Sequence, residues 1–142
     1  MPELVKILFV CMGNCVRSQM AEAIARHDAS DIIIAESAGI HPLGFIDNTA
    51  RAVLLERGIT MDGQTSKGLR SHLVSTPHLV INMSGVPSRH LFHEWAFEEW
   101  PVEDPFGENL ETHRRICDDI ERRVLDLAER LRAQLASPGG TS

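Results

Sequence analysis

The stretch Val10-Cys11-Met12-Gly13-Asn14-Cys15-Val16-Arg17-Ser18 decides how this chain is read. It follows an apolar run over residues 4–10. It leads into Gln19-Met20-Ala21-Glu22-Ala23-Ile24-Ala25-Arg26, where Met20, Ala21, Ile24 and Ala25 keep helical spacing. The succession predicts strand, tight loop and helix, with a cysteine at the head of the loop and an arginine six positions on. A loop of this shape turns its backbone N–H groups inward beside a helix N-terminus and binds a tetrahedral oxyanion. The same donors, with Arg17, favour Cys11 as the thiolate, which is the nucleophilic form. Arg17 brings a planar fork able to hold two oxygens of a phosphoryl group, which the point charge of a lysine does not. Met12, Gly13, Asn14, Cys15, Val16, Arg17 and Ser18 are therefore the expected phosphate cradle around Cys11.

Nucleotide-binding and metal-binding loops fail on composition. A dinucleotide fingerprint needs more glycines than Gly13, and a Walker loop needs Gly-Lys-Ser/Thr. Cys11 and Cys15 are too far apart for a Cys-x-x-Cys redox or zinc pair. Cys117 keeps helical spacing with Ile120 and Val124 and reads as core. The seven histidines show no metal-ligand spacing, so neither metal nor cofactor is expected.

With 142 residues, one domain over residues 1–136 and a flexible tail over 137–142 are expected. The 14 basic and 20 acidic residues give a net charge of −6, which argues against a nucleic-acid surface. Affinity for phosphate must then come from a local site. No run approaches the roughly 20 apolar residues of a membrane span. The run over 4–10 is too short for a signal peptide. A required free thiol suggests a reducing compartment, so a cytoplasmic location is expected.

Along the chain, the run over 4–10 predicts a central strand buried on both faces. Ser18 is read as the N-cap of the first helix and Glu22 as a carboxylate suited to its dipole. Ile32-Ile33-Ile34-Ala35 predicts a second buried strand, and Asp47 caps a helix that Gly58 stops. Ser66 is placed at the head of a short helix through Leu73. A third strand is expected within residues 77–83, a helical piece over 89–94, and a short fourth strand within 95–102. Residues 109–136 predict a long amphipathic helix, with Ile116, Ile120, Val124, Leu127, Leu131 and Leu135 on one side. Alternating strands and helices imply an α/β, doubly wound, mostly parallel sheet, with the ligand beyond the C-terminal ends of its strands.

The Cys11–Ser18 loop, with Asp104-Pro105 late in the chain, resembles the low-molecular-weight protein tyrosine phosphatases and the arsenate reductases that share their fold. Ser37-Ala38-Gly39, Gly58-Ile59 and Ser66-Lys67 sit at family-like spacing. The resemblance implies a four-stranded parallel sheet of order 2-1-3-4. It implies a protein tyrosine phosphatase acting on phosphate monoesters, aryl phosphates including protein phosphotyrosine, with a phosphorylated protein or a small phosphomonoester as substrate. Cys11 would form a cysteinyl-phosphate, Arg17 would clamp it, and Asp104 would serve as general acid and then base. Asn14, Ser18 and Ser37 are expected to support the loop, and Met12, Leu43 and Phe106 to form the pocket wall.

The chain departs from the family in having no tyrosine and in carrying Gln64 where many relatives have histidine. Ser18-Gln19-Met20-Ala21-Glu22, Gln64-Thr65-Ser66 and Trp100 lean toward the arsenate reductases. The alternative is thus an arsenate reductase using an external thiol or glutaredoxin, because residues 83–93 lack the further cysteines of a thiol relay. Lys67 stands in place of an aspartate that helps bind potassium in those reductases. A third reading is an inactive oxyanion-binding module. Cys15 is read either as a small residue filling the loop or as a thiol that traps Cys11 in a reversible disulfide.

Overall fold

The apolar run near the N-terminus becomes strand β1 (Val5–Cys11), which has a neighbour on each side. In the computed structural model, which describes residues 3–69 and 76–136, β1 pairs in parallel with β2 (Ile33–Gly39) and β3 (Leu79–Asn82). The short β4 (Phe97–Glu99) joins β3, again in parallel, and the four-stranded sheet runs β2-β1-β3-β4. This is the order that the resemblance implies.

Parallel neighbours require crossover connections, and helices supply the first two. α1 (Arg17–Asp28) lies between β1 and β2 and α2 (Asn48–Glu56) between β2 and β3, whereas only a 3-10 turn lies between β3 and β4, and α3 (Leu110–Ala136) follows the last strand and packs on the core. β1 is apolar at consecutive positions because both of its faces are covered. Ile7, Phe9 and Cys11 point into a core with Met20, Ile24 and Leu54, completed by Ile116, Ile120 and Val124 of α3. Leu8 and Val10 meet Ala38, Val80 and Phe92 on the opposite face. Phe9 packs against Trp100 with ring centroids 6.1 Å apart. Each such fully buried side chain contributes about 1.5–3 kcal/mol.

Local chemistry sets several helix ends. Asp47 Oδ2 accepts from the Ala50 N–H at 3.1 Å and caps α2, while Gly58 adopts φ +75° just past its end. Asn109 Oδ1 accepts from the Thr112 N–H at 2.9 Å at the start of α3.

The structure departs from the sequence pattern at several points. The N-cap of α1 is Val16, with no side-chain capping bond, and Ser18 lies inside the helix. β2 is an edge strand whose first half is covered on one face, so Ile33 and Ala35 are buried while Ile34 is 42% exposed. Ser66 heads no helix; Gly68 instead forms a bridge to Gly39, and the rest of that expected helix lies partly outside the described residues. The helical piece expected over 89–94 is a single 3-10 turn, Ser88–His90. Leu135 is 46% exposed although it keeps the periodicity of α3. The expected tail, 137–142, lies outside the described residues. Among the described residues no helix is long and apolar enough to cross a membrane.

Candidate active site

β1 ends at Cys11, at the C-terminal edge of the sheet, and the chain turns through residues 12–16 into α1. The carbonyls of this loop are occupied from outside. Cys11 O accepts from the Ile40 N–H, Met12 O from His41, Gly13 O from Leu43 and Cys15 O from Asp47, at 2.8–3.2 Å. With its carbonyls turned outward, the loop leaves its amides facing the other way. Among the described residues, no backbone N–H of residues 12–18 donates to a protein acceptor. Unpaired N–H groups at a helix N-terminus form an anion-binding concavity.

The loop needs a left-handed residue, and Asn14 fills that position with φ +48°. Its side chain is fully buried and bonded on every side, which holds a backbone shape that a non-glycine residue rarely adopts. Asn14 Nδ2 donates to Ser18 Oγ at 2.8 Å and to Ser37 Oγ at 3.0 Å. Asn14 Oδ1 accepts from the Lys67 N–H at 2.8 Å and from Gln19 Nε2 at 3.0 Å. Ser37 passes its hydroxyl hydrogen to Glu22 Oε1 at 2.6 Å. Glu22 is buried and also pairs with Arg26. The Ser18 hydroxyl lies 2.9 Å from Cys11 Sγ. Ser18 and Glu22 are one helical turn apart on the same face, which is the signal that ties α1 to the loop.

β2 presses on the cradle from below. A Cβ at Gly39 would lie 2.8 Å from Asn14 N and 2.9 Å from Met12 O, both backbone atoms. Gly39→Ala is therefore expected to displace the loop and to lower stability by about 1–3 kcal/mol, the usual cost of overpacking. Thermal melts alongside phosphate-binding titrations check this; a variant with unaltered melting and binding would count against it.

Arg17 is 6% exposed and lies across the cavity. Its Nη1 donates to Met83 O and, at 3.1 Å, to Val102 O, so the guanidinium is held by the chain after β3 and by the segment leading to Asp104. Nη2 lies 3.5 Å from Asp104 Oδ2. Nε is buried and has no partner. An unpaired buried donor is costly, and a bound oxyanion would satisfy it. Asp104 is half exposed at the mouth, its Oδ1 accepting from the Phe106 N–H at 3.0 Å.

The cavity has a volume of about 160 Å³ and brings together Cys11, Cys15, Arg17, Leu43, Asp104 and Phe106. Met12, Gly13 and Val16 also line it, with His41, whereas Asn14, Ser18 and Ser37 lie behind the loop. Sequence reasoning misses Phe45, whose ring stands 6.2 Å from that of Phe106 at an angle of 52°. Both rings are about half exposed, so Phe106, which lines the cavity, has a second aromatic packed beside it. An aromatic in a loop containing proline and glycine is the signal that could have found it. Burial, and after it the neighbouring Cys11, pushes the Cys15 thiol up to about 12. Cys15 is thus protonated at neutral pH although it lines the same cavity.

A parallel sheet of this order, with an amide-lined loop and a cysteine at the end of its inner strand, defines an α/β protein built around an anion-sized cleft. The chain belongs to the low molecular weight phosphotyrosine protein phosphatase family, whose model matches residues 6–137. It is similar to the glutaredoxin arsenate reductase of Synechocystis sp., with 34% identity over 130 residues, covering 89% of this chain and 98% of that protein. An arsenate reductase solved in its phosphate-binding state superposes with a TM-score of 0.81 at 34% identity, covering 90% of this chain and 99% of the other. The YwlE arginine phosphatase of Geobacillus stearothermophilus superposes with a TM-score of 0.78 at 26% identity, covering 93% and 96%.

Proposed function

We propose that this protein is a cysteine-dependent phosphatase hydrolysing phosphate monoesters, with aryl phosphates such as protein phosphotyrosine as the substrate class. The observation that carries this is the position of Asp104: a half-exposed carboxylate at the mouth of the Cys11 cavity, 3.5 Å from the Arg17 guanidinium. A proton donor there reaches the leaving oxygen of a phosphoryl group seated on the loop.

Cys11 Sγ attacks phosphorus in line, forming the P–S bond as the P–O bond to the leaving group breaks. Asp104 gives its proton to the departing oxygen. The loop amides and the free Arg17 Nε take the equatorial oxygens, where charge rearranges. The Asp104 carboxylate then takes a proton from water as the water attacks phosphorus. The P–S bond breaks, releasing inorganic phosphate and the Cys11 thiolate. Leu43 and Phe106, the latter backed by Phe45, offer an aromatic leaving group an apolar wall. A working thiol of this kind suits the cytoplasm, and we read residues 1–136 as one catalytic domain.

Arsenate reduction is the second reading, supported by the names of the relatives above and by the isosterism of arsenate and phosphate. Cys15 is held protonated and Cys117 is buried in α3, its thiol pushed up to about 11 by that burial. The electrons would therefore come from an external thiol or glutaredoxin, leaving arsenite and an oxidised thiol pair.

The test is hydrolysis of p-nitrophenyl phosphate at mildly acidic pH, run beside arsenate reduction with glutaredoxin and glutathione. Turnover by the phosphatase assay is expected, with kcat in Asp104→Asn lower by about 10²–10⁴-fold. Arsenate reduction without ester hydrolysis, in a folded and reduced sample, would replace the first reading by the second.

A further inference from the structure

Gln19 is wholly buried in the first turns of α1, and neither mechanism above uses it. Its Nε2 faces three acceptors: Asn14 O at 3.1 Å, Asn14 Oδ1 at 3.0 Å and Thr65 O at 2.9 Å. Its Oε1 accepts from Gln64 Nε2 at 2.7 Å. Only one orientation of the Gln19 amide fits these partners, because backbone carbonyls cannot donate. With Gln19 so fixed, Asn14 must turn Oδ1 toward Gln19, an orientation the Lys67 N–H also demands. The Asn14 NH₂ then points at Ser18 and Ser37, and both hydroxyls become acceptors for it. Ser37 sends its own hydrogen to the acceptor-only carboxylate of Glu22. Ser18 has one remaining partner, so its hydrogen goes to Cys11 Sγ.

We propose that Gln19 is a positioning residue for Cys11: together with the Lys67 N–H it fixes the direction of the Asn14 amide and thereby makes Ser18 the donor to the sulfur. A hydroxyl that donates to sulfur favours the thiolate; one that accepts favours the thiol. Gln64 completes the device, so the loop's polarity is set by two side-chain amides and a backbone N–H, none of which titrates. The inference rests on Cys11 being the nucleophile. The charged and titratable groups that face Cys11 are Arg17, Asp104, Cys15 and His41. Glu22, Arg26 and Lys67 stand at the far end of the network.

The test is the pH dependence of iodoacetamide alkylation of the full chain, with peptide mapping of the labelled cysteine. Burial holds Cys15 and Cys117 protonated, so between about pH 5 and 8 the labelled thiol is Cys11. Ser18→Ala gives the reference for a lost bond. In Gln19→Glu, a carboxylate would face the Asn14 carbonyl and amide oxygens and draw the Asn14 NH₂ toward itself. Its alkylation near pH 6 is expected to slow about tenfold, as in Ser18→Ala, with the midpoint moved up and no further loss in the double variant.

Gln19→Met, which removes the donor without adding an acceptor, should move the midpoint the same way by less, and it serves if the glutamate variant does not fold. A lower melting temperature with an unmoved alkylation profile in the folded variants would make Gln19 merely structural and overturn the assignment. Failure of the wild type to hydrolyse p-nitrophenyl phosphate, with its alkylation profile responding as described, would instead remove the phosphatase reading and leave the Gln19 assignment standing.

Discussion

Replacing Cys11 with serine is expected to reduce kcat/KM for p-nitrophenyl phosphate by about four to six orders of magnitude while leaving oxyanion binding intact. The substitution is small in shape. A serine hydroxyl reaches the same space at the base of the cavity and can still meet Ser18, which lies 2.9 Å from the sulfur. The amides of residues 12–18 and the unpaired Arg17 Nε are untouched, so inorganic phosphate or tungstate should bind at least as well. An alcohol, however, is almost never ionised at neutral pH, and the nucleophile is gone. Steady-state kinetics with calorimetric titration of the anion separates the two effects. A serine variant that turns over near the wild-type rate would mean that another group attacks phosphorus. A wild type that binds phosphate without turnover would leave an oxyanion-binding module.

Arg17→Lys is expected to be the next most severe change, lowering kcat/KM by about 10²–10⁴-fold and also lowering the melting temperature. The guanidinium performs two tasks with different edges. Nη1 ties Met83 O to Val102 O, which joins the end of β3 to the segment that presents Asp104. On the other edge, Nε is without a partner and Nη2 lies 3.5 Å from Asp104 at the cavity mouth. An ammonium has its donors on one atom and cannot span both edges, so either the two carbonyls or the bound anion loses its donor. Each orphaned buried carbonyl costs about 1–3 kcal/mol. Kinetics and differential scanning calorimetry on the same preparation check both halves. Near wild-type kcat/KM in the lysine variant would show that the loop amides alone bind the transferring group.

The parts of this chain that are legible in its sequence are those written in local chemistry. The apolar run before Cys11, the cap at Asp47, the left-handed glycine at 58 and the periodicity of α3 each depend on residues within a few positions of one another. The positions where structure and pattern disagree have a common origin. Ser18 satisfies every local rule for an N-cap, yet its hydroxyl lies between Cys11 and Asn14, partners that the fold brings closer than a backbone N–H of its own helix. Glu22 suits the dipole of α1 by its position, but it is the acceptor that ends the Ser37 branch of a buried network. Phe45 carries no local signal for the site, because its distance from Phe106 depends on the course of two separate loops.

By itself, the sequence determined the cysteine-headed loop between strand and helix, the parallel α/β class, and an arginine and an aspartate of the right types for phosphoryl chemistry. The tertiary structure decided which way the loop faces, because its carbonyls are claimed by a segment near residues 40–47 that no local pattern pairs with it. It also decided what Arg17 holds, through a bond to Val102 across 85 residues, and how Gln19 is oriented, through the Thr65 carbonyl across 46. Hydrogen-bond direction in a buried network is set by its most distant fixed donor or acceptor, and that group is seldom a sequence neighbour.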